Sequence, residues 1–390
     1  MPLTKSTNKK TKIKQKIQIV HKARIEKETT MPEPLKNMYN PESISAFAMQ
    51  LKEVYPDFLV EEFIADILDE TWEELELKAR GRRITENMGK YLPDDYPTAI
   101  EILNQVAPRV TGFFAIIFPD FVEVFGQEEK HWDISIAALE EYTKYSSSEF
   151  AVRPFIINHE TRMMAQMMTW SKDEDEDVRR LSSEGCRPQL PWAMALPKYK
   201  KDPTPILPIL EQLKADPSLY VRKSVANNIN DISKTNPEVA IKLAKNWLGK
   251  NKDTDWIVKH GLRTLLKQGH REALGIFGYH DSSALEVTDF RIDKTNVPME
   301  GEIIFSFKLQ AKEDTKLRLE YGVDYMKANG KRNRKIFQIS ESALKKGEKK
   351  SYEKKHSFAE LSTRKHYPGL HSVTLIVNGV EGETLDFELV

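Results

Sequence analysis

From residue 32 onward, apolar side chains recur at helical spacing. SISAFAMQLKEVYPDFLVEEFIADILDETWEEL places Phe47, Leu51 and Val54, then Phe58, Phe63 and Ile67, on one face of successive turns. TAIEILNQVAPRV, EEKHWDISIAALEEYTKY, TRMMAQMMTW, ILPILEQLKA and VAIKLAKNWLG continue the pattern, and nothing up to about residue 280 alternates as a strand does. Pro32, Pro93, Pro97, Pro203, Pro217 and Pro237 fall at predicted helix starts, where a missing N–H removes no bond. MMAQMM (163–168) reads as core. Past Ala284 the period becomes two. ALEVTDFRID, GEIIFSFKLQ, TKLRLEYGVDYM, KRNRKIFQIS, KKSYEKKHSFA, HSVTLIVNGV and ETLDFELV alternate apolar with polar, separated by Gly301, Asn329-Gly330, Gly347 and Asn378-Gly379.

Within the helical part three segments rhyme: SSSEFAVRPFI (146–156), EDVRRLSSEGCRP (176–188) and LYVRKSVANNINDIS (219–233). They centre on Val152-Arg153, Val178-Arg179 and Val221-Arg222, with a weaker copy at Val258-Lys259 in DWIVKHGLRTLL (255–266). The spacings are 26, 43 and 37 residues. Self-similarity at tens of residues predicts stacked two-helix repeats of the HEAT type, each unit burying its face against the next. Seven short strands without a cysteine pair predict a disulfide-free immunoglobulin-like sandwich, with Tyr367 and Gly369 near a corner. The predicted fold is mainly α, a HEAT-like helical-repeat solenoid followed by a C-terminal immunoglobulin-like β-sandwich. The expected parts are a basic arm over 1–30, repeats over 31–283 and the sandwich over 284–390.

Composition narrows the class. A chain of 390 residues exceeds one ordinary core. The single Cys186 rules out an internal disulfide and a cysteine-rich zinc cage, and no pair of histidines has metal-ligand spacing, so neither metal nor other cofactor is expected. With no long apolar run and no apolar core in MPLTKSTNKKTKIKQ, a soluble, intracellular protein without a membrane partner is expected. KDEDED (172–177) lacks the Gly and closing Glu of a calcium loop and reads as an acidic helix start. The net charge of zero conceals a partition. Residues 1–30 hold 9 Lys/Arg against 2 acids, 33–150 hold 10 against 24, 151–283 hold 21 against 16, and 327–365 hold 13 against 4. Basic blocks around an acidic middle point to a polyanionic partner, although any one block is also what a solvated surface looks like.

The candidate chemistry sits in the repeats. Glu149, Glu184 and Asp231 stand among small or polar neighbours that let a ligand approach: Ser146-Ser147-Ser148, Ser182-Ser183-Gly185 and Asn227-Asn228-Asn230. Arg153, Arg187 and Arg222 lie near them, suited to phosphate. Trp192 follows a turn-like RPQLP and offers a flat apolar face. Each acid alone is equally the mark of a pair that holds neighbouring repeats together. KRNRKIFQISESALKKGEKKSYEKKH (331–356) reads as a basic hairpin. Its Lys331, Arg332 and Arg334 are either edge protection or phosphate contacts.

SSSEFAVRPFI, VRRLSSEGCRPQLPWA (178–193) and VRKSVANNINDISK (221–234) resemble the AlkC family of DNA alkylation repair glycosylases, relatives of AlkD, in the subgroup with an immunoglobulin-like domain. The resemblance runs from about residue 33 to the end and leaves residues 1–30 outside. It implies hydrolysis of the N-glycosidic bond of small cationic bases, N3-methyladenine and N3-methylcytosine, in double-stranded DNA without deep base flipping. Carried onto this chain, it makes Glu149, Glu184 and Asp231 catalytic, puts Trp192 at the lesion, and makes Arg153, Arg187 and Arg222 backbone contacts. Asp231 or Glu184 would orient water and Glu149 would stabilise sugar charge. A cytoplasmic monomer, nucleoid-associated when on DNA, is expected. A noncatalytic HEAT-repeat scaffold that binds nucleic acid or protein remains the alternative, because fold alone does not fix function. So does a family member that binds lesions without excising them.

Overall fold

The computed structural model describes residues 34–280, 282–360 and 365–390. The basic arm expected over 1–30 lies outside the described residues. Helices occupy the chain to residue 276 and strands begin at Leu285. By compactness the chain divides into two units, one ending at Phe155 and the other running Ile156–Val390.

The first unit contains α1 (Pro41–Val54), α2 (Val60–Ile67), α3 (Leu77–Tyr91), α4 (Tyr96–Val106), α5 (Ile117–Phe125), α6 (Trp132–Tyr142) and the start of α7 (Val152–Asn158). Its first long helix is begun by a reciprocal cap. The Asn40 side chain accepts from the Ser43 amide at 2.9 Å, and the Ser43 hydroxyl accepts from the Asn40 amide at 3.0 Å, with Pro41 at the first helical position. The helical spacing of Phe47 and Phe63 buries both, and their rings join those of Phe58 and Phe118 in one aromatic core. Arg82 on α3 ties α5 in place through Asp120 at 2.9 Å and Glu123 at 2.7 Å.

The second unit contains α8 (Glu160–Trp170), α9 (Glu176–Glu184), α10 (Pro197–Lys201), α11 (Leu207–Leu213), α12 (Leu219–Thr235), α13 (Pro237–Trp247), α14 (Lys252–Gly261), α15 (Arg263–Lys267) and α16 (Arg271–Ile276), followed by the strands. Helix α12 packs against α9 on one side and α14 on the other. The rhyming valines explain the stacking: Val178, Val221 and Val258 are fully buried on these three helices. The cation after each valine forms a rung. Arg179 holds the carbonyls of Asp173 and Glu174 below its own helix and the carboxylate of Asp216 in the loop before the next. Arg222 does the same one repeat later, with the Asp216 and Pro217 carbonyls and with Asp253 at 3.3 Å. Lys259 ends the ladder on Glu341 of the sandwich.

The strands form two sheets, one of three strands in the order β1-β3-β6 and one of five in the order β2-β8-β7-β4-β5. They are β1 (Leu285–Ile292), β2 (Asn296–Val297), β3 (Glu302–Ala311), β4 (Thr315–Met326), β5 (Arg332–Leu344), β6 (Lys349–Ser357), β7 (Gly369–Val377) and β8 (Val380–Leu389). Alternating side chains from both sheets fill one core around Phe305, Phe307, Leu319, Tyr321, Val373 and Phe387. Asn378-Gly379, both with positive φ, makes the two-residue turn between β7 and β8. That turn lies against the helices: Asn378 donates to the His280 carbonyl at 2.9 Å, and a Cβ on Gly269 would stand 2.5 Å from the Gly379 carbonyl oxygen.

One expectation is corrected. The basic stretch 331–356 is not a hairpin. β5 pairs with β4, β6 pairs with β3, and the chain crosses between sheets at Gly347. The hairpin signal that governs here is Asn329-Gly330, which folds β5 back onto β4.

Candidate functional site

Helix α9 begins on the acidic run. The Asp175 side chain accepts from the amides of Asp177 and Val178, capping the helix where its free N–H groups need partners. The helix ends at Glu184, and Arg187 in the exit turn reaches both ways. Its Nη1 donates to Glu184 Oε1 at 2.6 Å and its Nε to Asp231 Oδ2 on α12 at 2.9 Å. The other oxygen of Asp231 accepts from Lys234 Nζ at 3.0 Å, and Arg180 lies 3.7 Å from Glu184. Relative exposures of 5% for Glu184, 7% for Arg187 and 1% for Asp231 place this chain of charges in the interior. Burial works against the Arg187 cation, but Glu184 and Asp231 outweigh it, so its pKa lies above the ordinary guanidinium value.

Amides brace the cluster. Asn228 donates to the Ser183 carbonyl at 2.9 Å, tying α12 to α9, and Asn230 accepts from Thr264 at 2.8 Å, tying it to α15. Glu184 Oε2, Ser183 Oγ and Asn228 Oδ1 are buried atoms with no hydrogen-bond partner among the described residues. They are the polar capacity left open beside the charge chain.

Trp192 is different in kind. It is 63% exposed and its backbone is left-handed, with φ of 63°. The Cβ of an L-residue in that region costs roughly 1–2 kcal/mol. Glu149 lies in the first unit, in the turn before α7, where Ser147 Oγ donates to its carboxylate at 2.8 Å. Arg153 is fully buried in α7 of the same neighbourhood.

The whole chain has known relatives. It is 46% identical to "Uncharacterized protein YhaZ" of Bacillus subtilis (strain 168) over 355 residues, covering 91% of this chain and 99% of that protein. Its structure matches that of Pseudomonas fluorescens alkylpurine DNA glycosylase AlkC bound to DNA containing an abasic site analog, with a TM-score of 0.88. That match has 36% identity and covers 92% of this chain and 99% of the other. The chain belongs to the AlkC family. Residues 286–390 match the family model of the YhaZ C-terminal Ig-like domain, so the fold is a HEAT-like repeat region followed by an immunoglobulin-like sandwich.

In this AlkC-family chain the structure brings Glu184, Arg187 and Asp231 into direct contact. It places Arg222 in the ladder, with its guanidinium on loop carbonyls and Asp253. In the sandwich, Arg334 is held by both oxygens of Asp324 and by Glu381 at 2.6 Å. Arg332 stands 4.0 Å from Asp386, and Lys331 is exposed in the turn before β5. Sequence reading missed Lys234 and Arg180. Their signal was available: they lie three residues after Asp231 and four before Glu184, which is helical contact spacing. Among the described residues no helix is long and apolar enough to cross a membrane.

Proposed function

We propose that this protein is a DNA base-excision glycosylase that hydrolyses the N-glycosidic bond of small cationic alkylated bases, N3-methyladenine and N3-methylcytosine. The observation that carries the reading is Trp192, a largely exposed indole on left-handed backbone in a chain of this family. Strain at an exposed aromatic points to a ligand that uses it. A cationic base fits its face, because the indole quadrupole attracts positive charge. N3 alkylation also weakens the bond to the sugar, so the base departs without a strong general acid. The sugar becomes oxocarbenium-like, and carboxylates stabilise it or orient water. Asp231 or Glu184 orients the water and Glu149 is assigned the sugar charge. Most enzymes acting on a base extrude it into a pocket. A site that works on the deoxyribose of bent DNA has less need to. The sandwich contributes phosphate contacts through its basic strands, Lys331 first.

The test is incubation with methylated duplex DNA and chromatography of the released bases. Release that falls by orders of magnitude in D231N, E149Q and W192A supports the reading, and no release by the native chain overturns it. One observation favours the second reading, a binder without catalysis. Glu184 and Asp231 share Arg187 in the interior, as pairs that only hold repeats do. That reading predicts lesion-dependent binding with no base released.

A further inference from the structure

Counting from the buried valines finds a row that starts at Arg180, beside Glu184, and continues through residues not described above. Two residues after Val178, Val221 and Val258 stand Arg180, Lys223 and His260. Helices α9, α12 and α14 pack in that order, so one face presents a cation or imidazole from each of three successive repeats. Helix neighbours lie about 8–10 Å apart, which sets the spacing of the row. Aromatic rings interleave with it. The Arg180 guanidinium sits over exposed Tyr220 at 4.5 Å from the ring centroid. The His260 ring stacks on exposed Trp256 at 5.0 Å and 8°. Arg263 closes the end of the row, donating to the His260 carbonyl at 2.7 Å and to Asn227 Oδ1 at 3.0 Å.

Toward Lys223 and Arg263 the row has more positive charge than its surroundings balance. Of the acids nearby, Glu184 is shared by Arg187 and Arg180 itself, Asp231 is held by Arg187 and Lys234, Asp253 by Arg222 and Glu341 by Lys259. Asp255 accepts from the Gly249 amide. Among the described residues no ion pair holds Lys223 or Arg263, and Lys223 is exposed. His260 faces Lys223 from α12 and Arg263 from α15; burial and these two cations hold its imidazole below its ordinary value. Burial likewise depresses Arg263, with Asp231 opposing and Arg187 reinforcing. Lys223 is exposed and Arg263 and His260 are half-buried, so an anion from outside can reach and stabilise this mutually repelling set.

We infer that Arg180, Lys223, His260 and Arg263 form a track for the phosphodiester backbone of a nucleic-acid strand, with Tyr220 and Trp256 as flat faces beside its sugars. This rests on the glycosylase reading and adds to it where one strand runs. A phosphate beside His260 favours its protonated form, so binding takes up a proton and tightens as pH falls.

The experiment is equilibrium binding of the full chain to a labelled duplex carrying a tetrahydrofuran abasic site, by fluorescence anisotropy across a salt series. Each phosphate contact adds about 0.9 to the slope of log affinity against log salt. K223Q lowers that slope by about 1 relative to the native chain, whereas K242Q, an exposed lysine on α13, leaves it unchanged. The native slope steepens by up to about 1 between roughly pH 8 and pH 6, and H260Q removes the steepening. Lys223 is exposed, so K223Q tests the row even where H260Q perturbs packing. Native binding with a K223Q slope equal to that of K242Q, or a pH-independent native slope, overturns the track and leaves the glycosylase reading standing. A native chain that neither binds the duplex nor releases methylated base overturns both.

Discussion

Replacing Arg187 with methionine tests whether the buried charge chain is compensated as the distances say. The guanidinium contacts Glu184 at 2.6 Å and Asp231 at 2.9 Å, and all three residues are buried. Removing one member of a buried ionic group leaves its partners as uncompensated charge, which costs about 3–5 kcal/mol. Here Lys234 still holds Asp231 at 3.0 Å and Arg180 still stands 3.7 Å from Glu184. The expected loss is therefore the lower end, about 3 kcal/mol. Urea unfolding reads it as a lower midpoint at unchanged slope. The triple variant E184Q/R187M/D231N removes the three buried charges and leaves only the less buried Arg180 and Lys234, so no carboxylate is stranded in the interior. It should therefore be more stable than R187M alone despite carrying two more substitutions. An R187M loss below about 1 kcal/mol, or a triple variant as damaged as the single one, refutes the compensation argument.

Other consequences are separate. Burial, then Glu123, raise the Asp120 carboxyl above its ordinary value against the pull of Arg82. Its contribution is present at low pH and lost as pH rises through the raised value, so D120N gains on the native chain in thermal melts from about pH 4 upward. W192G relieves the left-handed backbone, so it should melt no lower than the native protein, with a gain of up to about 1 kcal/mol, while base release collapses. G269A places a methyl 2.5 Å from the Gly379 carbonyl oxygen and needs a positive φ. It should destabilise the second unit by about 1–3 kcal/mol in chemical unfolding.

The sequence told most where a residue type has one physical use. Period 3.6 changing to period 2 at Ala284 marks the passage from helices to strands, because each period faces one core. The rhyming valines are legible for the same reason: Val178, Val221 and Val258 are all buried. The arginine after each valine was ambiguous, since phosphate and carboxylate offer it the same geometry. Only coordinates show Arg179 and Arg222 on loop carbonyls and the next repeat's acid. The hairpin error at 331–356 has a comparable cause. Strand length and alternation do not say which sheet a strand joins, and β5 and β6 differ in just that. Lys223 and His260 escaped notice because lysine on an exposed helix face carries no signal until the repeat register aligns it with its neighbours.

Substrate range follows from how the carboxylates are held. Both oxygens of Asp231 accept from cations, Arg187 Nε at 2.9 Å and Lys234 Nζ at 3.0 Å, and Oε1 of Glu184 accepts from Arg187. Charge-assisted bonds of this kind fix a carboxylate as an acceptor. They leave Asp231 no O–H to give a departing base. A neutral base such as uracil needs that proton or a group that stabilises its departing anion, whereas a base alkylated at N3 carries its positive charge before the bond breaks. On the reading proposed above, the chain should therefore release N3-methyladenine and leave uracil in the same duplex untouched. The arrangement also answers why acids sit beside a polyanion. Arg180, Arg187 and Lys234 outnumber Glu184 and Asp231, so these five side chains carry net positive charge while the acceptors stay oriented. Side-by-side incubation of methylated and uracil-containing duplexes decides the point. Uracil release at a rate comparable to methyladenine release means that the site protonates the departing base or stabilises its anion, and a site that acts only on bases already cationic is then refuted.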